Sequence, residues 1–488
     1  MSVERSTKTL GPTGRATSGG VGLREYGVGW QDGLMTRRRP RLREGGRLAL
    51  WLLTACLSVA DARSEVGAEA QRYWPQWRGP LATGVAPLAQ PPVQWSEQKN
   101  VRWKLALPGK GHSTPIVWGD RLFLTVAVPF GPSVAPVYDH APGTHDNVGV
   151  TQSHRFVVWA IRREDGSVLW KTQVREEFPH EGGHMTGSLA SNSPVTDGTN
   201  IYAFFGSRGL YGLDWNGAIV WQKDMGKMQT LHAHGEGSSP VLYGDWLIVN
   251  WDDESKSVLY AFDKRTGKER WKVIRDDATS WSTPLVIEHG GKAQIVVSAT
   301  KRVRGYALET GALLWECAGL SRNVVSTPVA GYGMVFAGNS YDWQAMLAIR
   351  LDGAQGDITD SDRVAWKLNR LTPYVSSPLL YRDTLYFLRH NQNILSRLEP
   401  KSGRPRGEPV RIEGIREIFA SPLGADGRIY VTGRDGVTVV LSEGDSLATL
   451  SVNQLDDVFS ASPVAVEREL YLRGERSLYC LMEKPAKP

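Results

Sequence analysis

Along most of the chain, apolar and polar positions alternate with period two. The runs are short and are closed by turns rich in Gly, Asp and Asn. That pattern predicts β-strands and not helices of 3.6-residue period. One unit recurs eight times: Ser or Thr, then Pro, then an apolar run and a turn. It starts at Thr114-Pro115, Ser193-Pro194, Ser239-Pro240, Thr283-Pro284, Thr327-Pro328, Ser377-Pro378, Ser421-Pro422 and Ser462-Pro463. The spacings are 79, 46, 44, 44, 50, 44 and 41 residues, with one insertion (129–152) lengthening the first.

Each unit has a second half, in which a Trp follows a turn Gly by four residues. Gly166 precedes Trp170, Gly217 precedes Trp221, Gly267 precedes Trp271 and Gly311 precedes Trp315. Trp366 keeps the position without the Gly, and the sixth and seventh units lack the Trp. A unit therefore reads as four antiparallel strands. One such sheet cannot bury both faces alone, but eight in a ring can. The expected fold is all-β, an eight-bladed propeller over 100–488. The repeated Trp residues, with Trp103, are read as packing between blades. The last unit stops one strand short. Residues 100–107, which include Trp103, have that strand's character and are expected to close the ring and protect its edges.

The segment before the ring reads WPQWRGP at 74–80. Residues 63–99 are expected to form a clasp on the outer wall or rim, with Trp74 and Trp77 in grooves between blades and Pro75 and Pro80 keeping it free of helix.

Charge changes the picture little. The formal charge is +6, but residues 1–62 hold 10 of the 57 basic and only 5 of the 51 acidic side chains. The remainder is near neutral and has no basic stripe, which argues against a nucleic-acid partner. Met35 opens a positive n-region, 48–60 is an apolar run of h-region length, and Ala60-Asp61-Ala62 is a small-x-small cleavage site. Residues 35–62 are thus read as a signal peptide and 1–34 as untranslated or disordered. The chain is expected to be periplasmic or secreted. Leu53-Thr54-Ala55-Cys56 also resembles a lipobox, so Cys56 is either a lipidation site on an outer-membrane lipoprotein or an h-region residue. Lipidation is the one membrane link expected. Cys317 and Cys480 alone make no disulfide framework.

The unit resembles the repeat of pyrroloquinoline quinone (PQQ) propellers, most closely at LYAFDKRTGKERWK, 259–272. Two branches of that family matter. Quinoprotein alcohol dehydrogenases hold PQQ and calcium on the ring axis; the propeller lipoprotein of the outer-membrane barrel assembly machinery binds no cofactor. WPQWRGP with HEGGHMTGSLASNSP also resembles secreted bacterial propellers without assigned chemistry. The dehydrogenases share a vicinal Cys-Cys pair, which is absent here, and their calcium ligands and catalytic Asp find no matching motif. The resemblance therefore implies a monomeric binding or scaffolding propeller of the cell envelope, with proteins or peptides as partners and no cofactor. The alternative is a PQQ- or metal-dependent oxidoreductase, with PQQ and calcium at one mouth of the channel.

Residues just before each Ser/Thr-Pro should crowd one channel mouth, and here they are unusually polar. The candidates are His180, Glu181, His184, Asn192, His232, His234, Glu236, Asn250, Asp252, Trp281, Arg322, Asn323 and Tyr374. His180-Glu-Gly-Gly-His184 matches H-E-x-x-H in letters only, since two glycines in a loop supply no helix. His184, His232 and His234, with His180 and Glu236, could instead converge on a metal, or simply hydrogen-bond their loops. Asn250, Asp252, Asp253 and Glu254, and Asp357, Asp360 and Asp362, lack the spacing of a calcium loop. The insertion, with His140 and His145, either covers a mouth or is a decorated loop.

Overall fold

The computed structural model describes residues 67–138 and 143–484. The leader, Cys56 and His140 lie outside the described residues. Eight antiparallel sheets follow one another along the chain. The first strands of neighbouring blades touch, so these strands line the axis. Inner strands such as Thr384–Leu388 are buried at every position, whereas the outer strand Glu269–Arg275 alternates. An inner strand is covered on both faces by adjacent blades, and an outer one is half in water. The hydrophobic core is accordingly spread over the seams, each cluster joining neighbouring blades.

The ring closes as the sequence predicts. Val101–Ala106 pairs antiparallel with Ser477–Leu481 of the last blade. The recurring Ser/Thr has a distinct task. The backbone N–H of each anchor donates to the hydroxyl of the anchor in the next blade, at 2.9 to 3.2 Å. The bonds run through all eight blades and return to the start. The hydroxyl is required as acceptor, and the following Pro has no N–H to leave unpaired.

The repeated indoles bridge blades. Trp103, Trp170, Trp221, Trp271 and Trp366 each donate Nε1–H to a backbone carbonyl of the next blade, at 2.8 to 3.1 Å. Each also covers that blade's turn glycine: Gly166, Gly217, Gly267, Gly311 and Gly403 respectively. Trp315 departs from this. It bonds Gln294 Oε1 of its own blade, and Gly356–Asp357 pairs parallel with Trp315 and Glu316 as a fifth strand. The expectation of four strands per blade is corrected there, because the long connection inside the fifth unit folds back onto the fourth.

The clasp is also corrected. Residues 74–86 do not lie on the outer wall but against the inner strands at one end of the channel, whereas 93–96 run along the outer strand Thr449–Gln454 of blade seven, where Trp95 N–H donates to Asn453 Oδ1 at 2.8 Å. Trp74 exchanges both backbone hydrogen bonds with Val117 of blade one, and Pro75 O accepts from Thr196 of blade two. Trp77 Nε1 reaches Thr327 Oγ1 of blade five, 3.2 Å away. Arg78 donates to Pro378 O and Pro422 O of blades six and seven, at 2.6 and 2.9 Å. Gly84 and Ala86 pair with Gly424, and Gln90 N–H reaches Glu467 O. The channel offers the inner strands' backbone groups and burial on all sides. An outer wall would leave Trp74, now 1% exposed, half in water.

Candidate functional site

With the segment filling one end, the other end of the channel is a blind cavity of about 400 Å³. Trp77 is on its lining, together with anchors of the ring such as Ser193, Ser239, Thr283, Thr327 and Ser421. Its walls carry Trp281, Tyr341, Tyr374 and Phe419, and the imidazoles of His112, His145, His184 and His234. Tyr374 stacks between Tyr341 and His390, with ring centroids at 5.8 and 4.8 Å. Trp281 donates Nε1–H to Gly235 O at 2.6 Å, which ties blade four to the loop bearing His234.

Of the residues singled out from the sequence, His184, His234, Glu236, Trp281 and Tyr374 border this cavity. Glu236 is engaged there: it accepts from Ser207 N–H, Ser207 Oγ and Arg208 Nη1, the last at 2.9 Å. The others are placed elsewhere. His180 Nε2 bonds Met228 O at 2.8 Å. Glu181 accepts the hydroxyl and N–H of Thr230. Asn192 donates to Ser238 O, which fastens blade two to blade three. Asn250 and Asp252 form an interior network with Arg275 and Ser280, and Arg275 also meets Asp277 at 3.5 Å. A buried carboxylate needs such a partner, and having one it does not face the mouth. Arg322 is exposed and held bidentate by Asp342, at 2.9 and 2.8 Å. Asn323 is buried with φ 53°, its amide beside the Tyr374 hydroxyl.

The first-blade insertion leans over one side of the mouth. Asn147–Val148 pairs with Gly183–His184. Asn147 Nδ2 donates to the carbonyls of His232 and Ala233, at 2.7 and 2.6 Å. His145 is thereby brought against His232 and His234, with centroids at 4.5 and 5.0 Å, and His184 stands 4.7 Å from His234. Burial first, and the neighbouring imidazoles after it, push His234 down to about 4. His184 and His232 are also lowered, chiefly by burial. The shift favours the neutral form of these three imidazoles at pH 7. Sequence reasoning missed His112, Tyr341 and Phe419, and placed Trp77 elsewhere. The signal for Phe419 was its place two residues before the anchor Ser421, whereas Tyr341 lies in the loop between Met334–Asn339 and Ala345–Arg350, which no anchor marks.

Other openings are less convergent. A cleft of about 640 Å³ on the flank of blades seven and eight is edged by Glu97, Arg434, Asp435, Asp457 and Arg476. Arg476 pairs there with Asp456 and Asp457, at 3.0 and 3.6 Å.

Comparison with known proteins now decides the family. Residues 92–251 and 255–483 match the family described as outer membrane protein assembly factor BamB. The chain belongs to that family. The BamB of Shewanella oneidensis is 24% identical over 295 residues, 58% of this chain and 66% of that protein. The alignment spans a little under two thirds of that relative. The crystal structure of BamB from Moraxella catarrhalis is similar at 13% identity, over 74% of this chain and 99% of that one, with a TM-score of 0.48. The quinohemoprotein alcohol dehydrogenase of Comamonas testosteroni is similar at 10% identity, over 87% and 83%, with a TM-score of 0.57. That likeness shows the propeller fold alone.

Proposed function

We propose that this BamB-family chain is an exported binding and scaffolding propeller of the bacterial cell envelope that serves outer-membrane protein assembly. Its partners are envelope proteins or peptides, and it works as a monomer in the periplasm, anchored at Cys56 if that residue is acylated. One observation carries the reading. The mouth is walled by fixed aromatic rings, while three carboxylates of the loops around it are tied into the fold: Glu236 to Arg208, Asp252 to Arg275 and Asp277 to Arg304. Rigid rings beside backbone-rich loops suit apolar side chains of a protein partner.

The dehydrogenase alternative asks this cavity to hold PQQ, a planar tricarboxylate. Such a ligand needs cations around it. Among the described residues the lining carries two carboxyl side chains, Asp146 and Glu236, and no Lys or Arg. That lining weighs against PQQ as the ligand of this cavity.

The test is deletion of the gene in the organism that encodes it, with outer-membrane β-barrel proteins quantified in isolated membranes. The expected result is a drop in folded barrels, restored by the full chain. Unchanged barrel levels would overturn the proposal. Tryptophan quenching on titration with PQQ and calcium is the companion measurement, and saturation at micromolar PQQ would revive the alternative.

A further inference from the structure

We propose that His145, His232 and His234 form a binding site for one divalent transition-metal ion of the zinc class, which pins the first-blade insertion to the loop between blades two and three. The three rings make a closed triangle, with centroids 4.5, 5.0 and 5.2 Å apart. They come from two segments far apart in sequence.

Their hydrogen bonds fix the tautomers. His145 Nδ1 and His232 Nδ1 both meet Gly143 O, at 2.8 and 2.9 Å. His234 Nε2 meets His145 O at 3.0 Å. A carbonyl oxygen only accepts, so each of these nitrogens carries the proton. The lone pairs are left on His145 Nε2, His232 Nε2 and His234 Nδ1. A backbone carbonyl holding the far N–H is the usual support of a metal-bound imidazole, because it sets the tautomer and so which nitrogen is free to bind. His232 Nε2 is buried and has no hydrogen-bond partner. A lone pair left in that state is costly unless something satisfies it.

The backbone is strained at the same place. His232 and Ala233 stand at φ 59° and 51°, two consecutive non-glycine residues in the left-handed region. Such strain persists where the surroundings impose it, and it collects at functional sites. Here it turns the His232 ring toward the insertion. Asp146, next to His145, puts a carboxylate on the neighbouring cavity lining. His184 differs from the three: its Nδ1 accepts from Thr186 N–H at 3.2 Å, so its own proton lies on Nε2 and it offers no lone pair there.

Among the described residues, no three ligating atoms stand in coordination geometry as the rings lie. His145 meets His232 and His234 edge to face, at 66° and 71°, and capture of an ion requires the rings to turn. Three imidazole nitrogens favour zinc, copper or nickel over calcium or magnesium, which prefer oxygen.

This site does not rest on the assembly reading. The test is calorimetric titration of the untagged, chelator-stripped chain from Arg63 with zinc at neutral pH, with calcium as the comparison. One equivalent of zinc should bind, with a rise in melting temperature, and calcium should not. H145Q, H232A and H234A should each weaken zinc at least about tenfold. H180A, outside the triangle, should bind as the parent does. H145Q alters an exposed side chain and keeps the test open if a loop variant fails to fold. No saturation with zinc in the high-micromolar range would overturn the proposal. So would equal affinity of H145Q and the parent.

Discussion

The N–H of Ser462 donates to the hydroxyl of Thr114, 348 residues earlier, at 3.2 Å. With that bond the ring of anchors returns to its start. It joins the last blade to the first at the inner edge, while Val101–Ala106 and Ser477–Leu481 join at the outer edge. T114V keeps the shape and removes the acceptor. The buried N–H of Ser462 then loses its partner, at a cost of about 1–3 kcal/mol. T114S should be near the parent. Urea midpoints of the three chains measure this, and a T114V midpoint equal to the parent's would remove the ring of bonds as a source of stability.

The indole seams predict a contrast between two glycines. Gly166 has φ 74°, and a Cβ there would lie 2.7 Å from Trp103 Cδ2. Gly244 has φ 55° with open space around it. G244A meets backbone strain alone, about 1–2 kcal/mol. G166A meets the same strain and also pushes Trp103 off the seam, for about 1–3 kcal/mol more. Thermal melts should rank the parent above G244A and G244A above G166A. Equal losses would show that Trp103 yields without cost.

How much of this was legible before the structure follows from the range of each interaction. The eight units, the strand type and the closing strand rest on local periodicity and on a missing fourth strand, all written in adjacent residues. The reason for Ser or Thr at Thr114 and Ser462 was not, although the pattern itself was. The path of 74–90 was misread because no periodicity directs it. Arg78 meets carbonyls 300 and 344 residues away, and only the assembled ring supplies them. The insertion with His145 was left open between covering a mouth and being a decorated loop for the same reason, since it joins the mouth through Asn147 and loops that follow in later units. Asn250 and Asp252 were placed at the mouth because the partner that draws Asp252 inward, Arg275, lies on another strand.

Arg78 is the lock of the channel segment. Its guanidinium is buried, donates to the carbonyls of Thr83, Pro378 and Pro422, and is pushed down to about 9 by burial. R78M keeps much of the volume but leaves those carbonyls without their donor. Hydrogen bonds from a charged group contribute about 1.5–3 kcal/mol each at most. The loss should fall on the segment first, because the blades hold by their own ladders. R78M should therefore be cut by protease within 67–100 at concentrations that spare the parent. Trp77 should also become open to acrylamide quenching. Cutting inside the blades before the segment would show that Arg78 supports the ring as a whole.

Acid should weaken the fold before most carboxylates titrate. His112 is packed at the seam of blades eight and one, with Glu475 Oε1 3.7 Å from its Nε2 and Lys110 and Arg473 nearby. Burial, and after it the two cations, outweigh Glu475 and push His112 down to about 4, from 6.5 in the unfolded chain. Between those values the unfolded chain binds a proton that the folded chain refuses. The stabilisation is therefore full above about pH 6.5, fades as the pH falls, and is gone below about 4. For one histidine this amounts to at most about 3 kcal/mol. His234, also held near 4, adds to the same slope. Glu475 is itself lowered, so its contribution persists through this window and is lost only at lower pH. Urea midpoints at pH 7, 6 and 5 should fall steadily for the parent and less steeply for H112N. A parent midpoint that is flat from pH 7 to 5 would mean that His112 takes up its proton inside the fold, with Glu475 closing onto it.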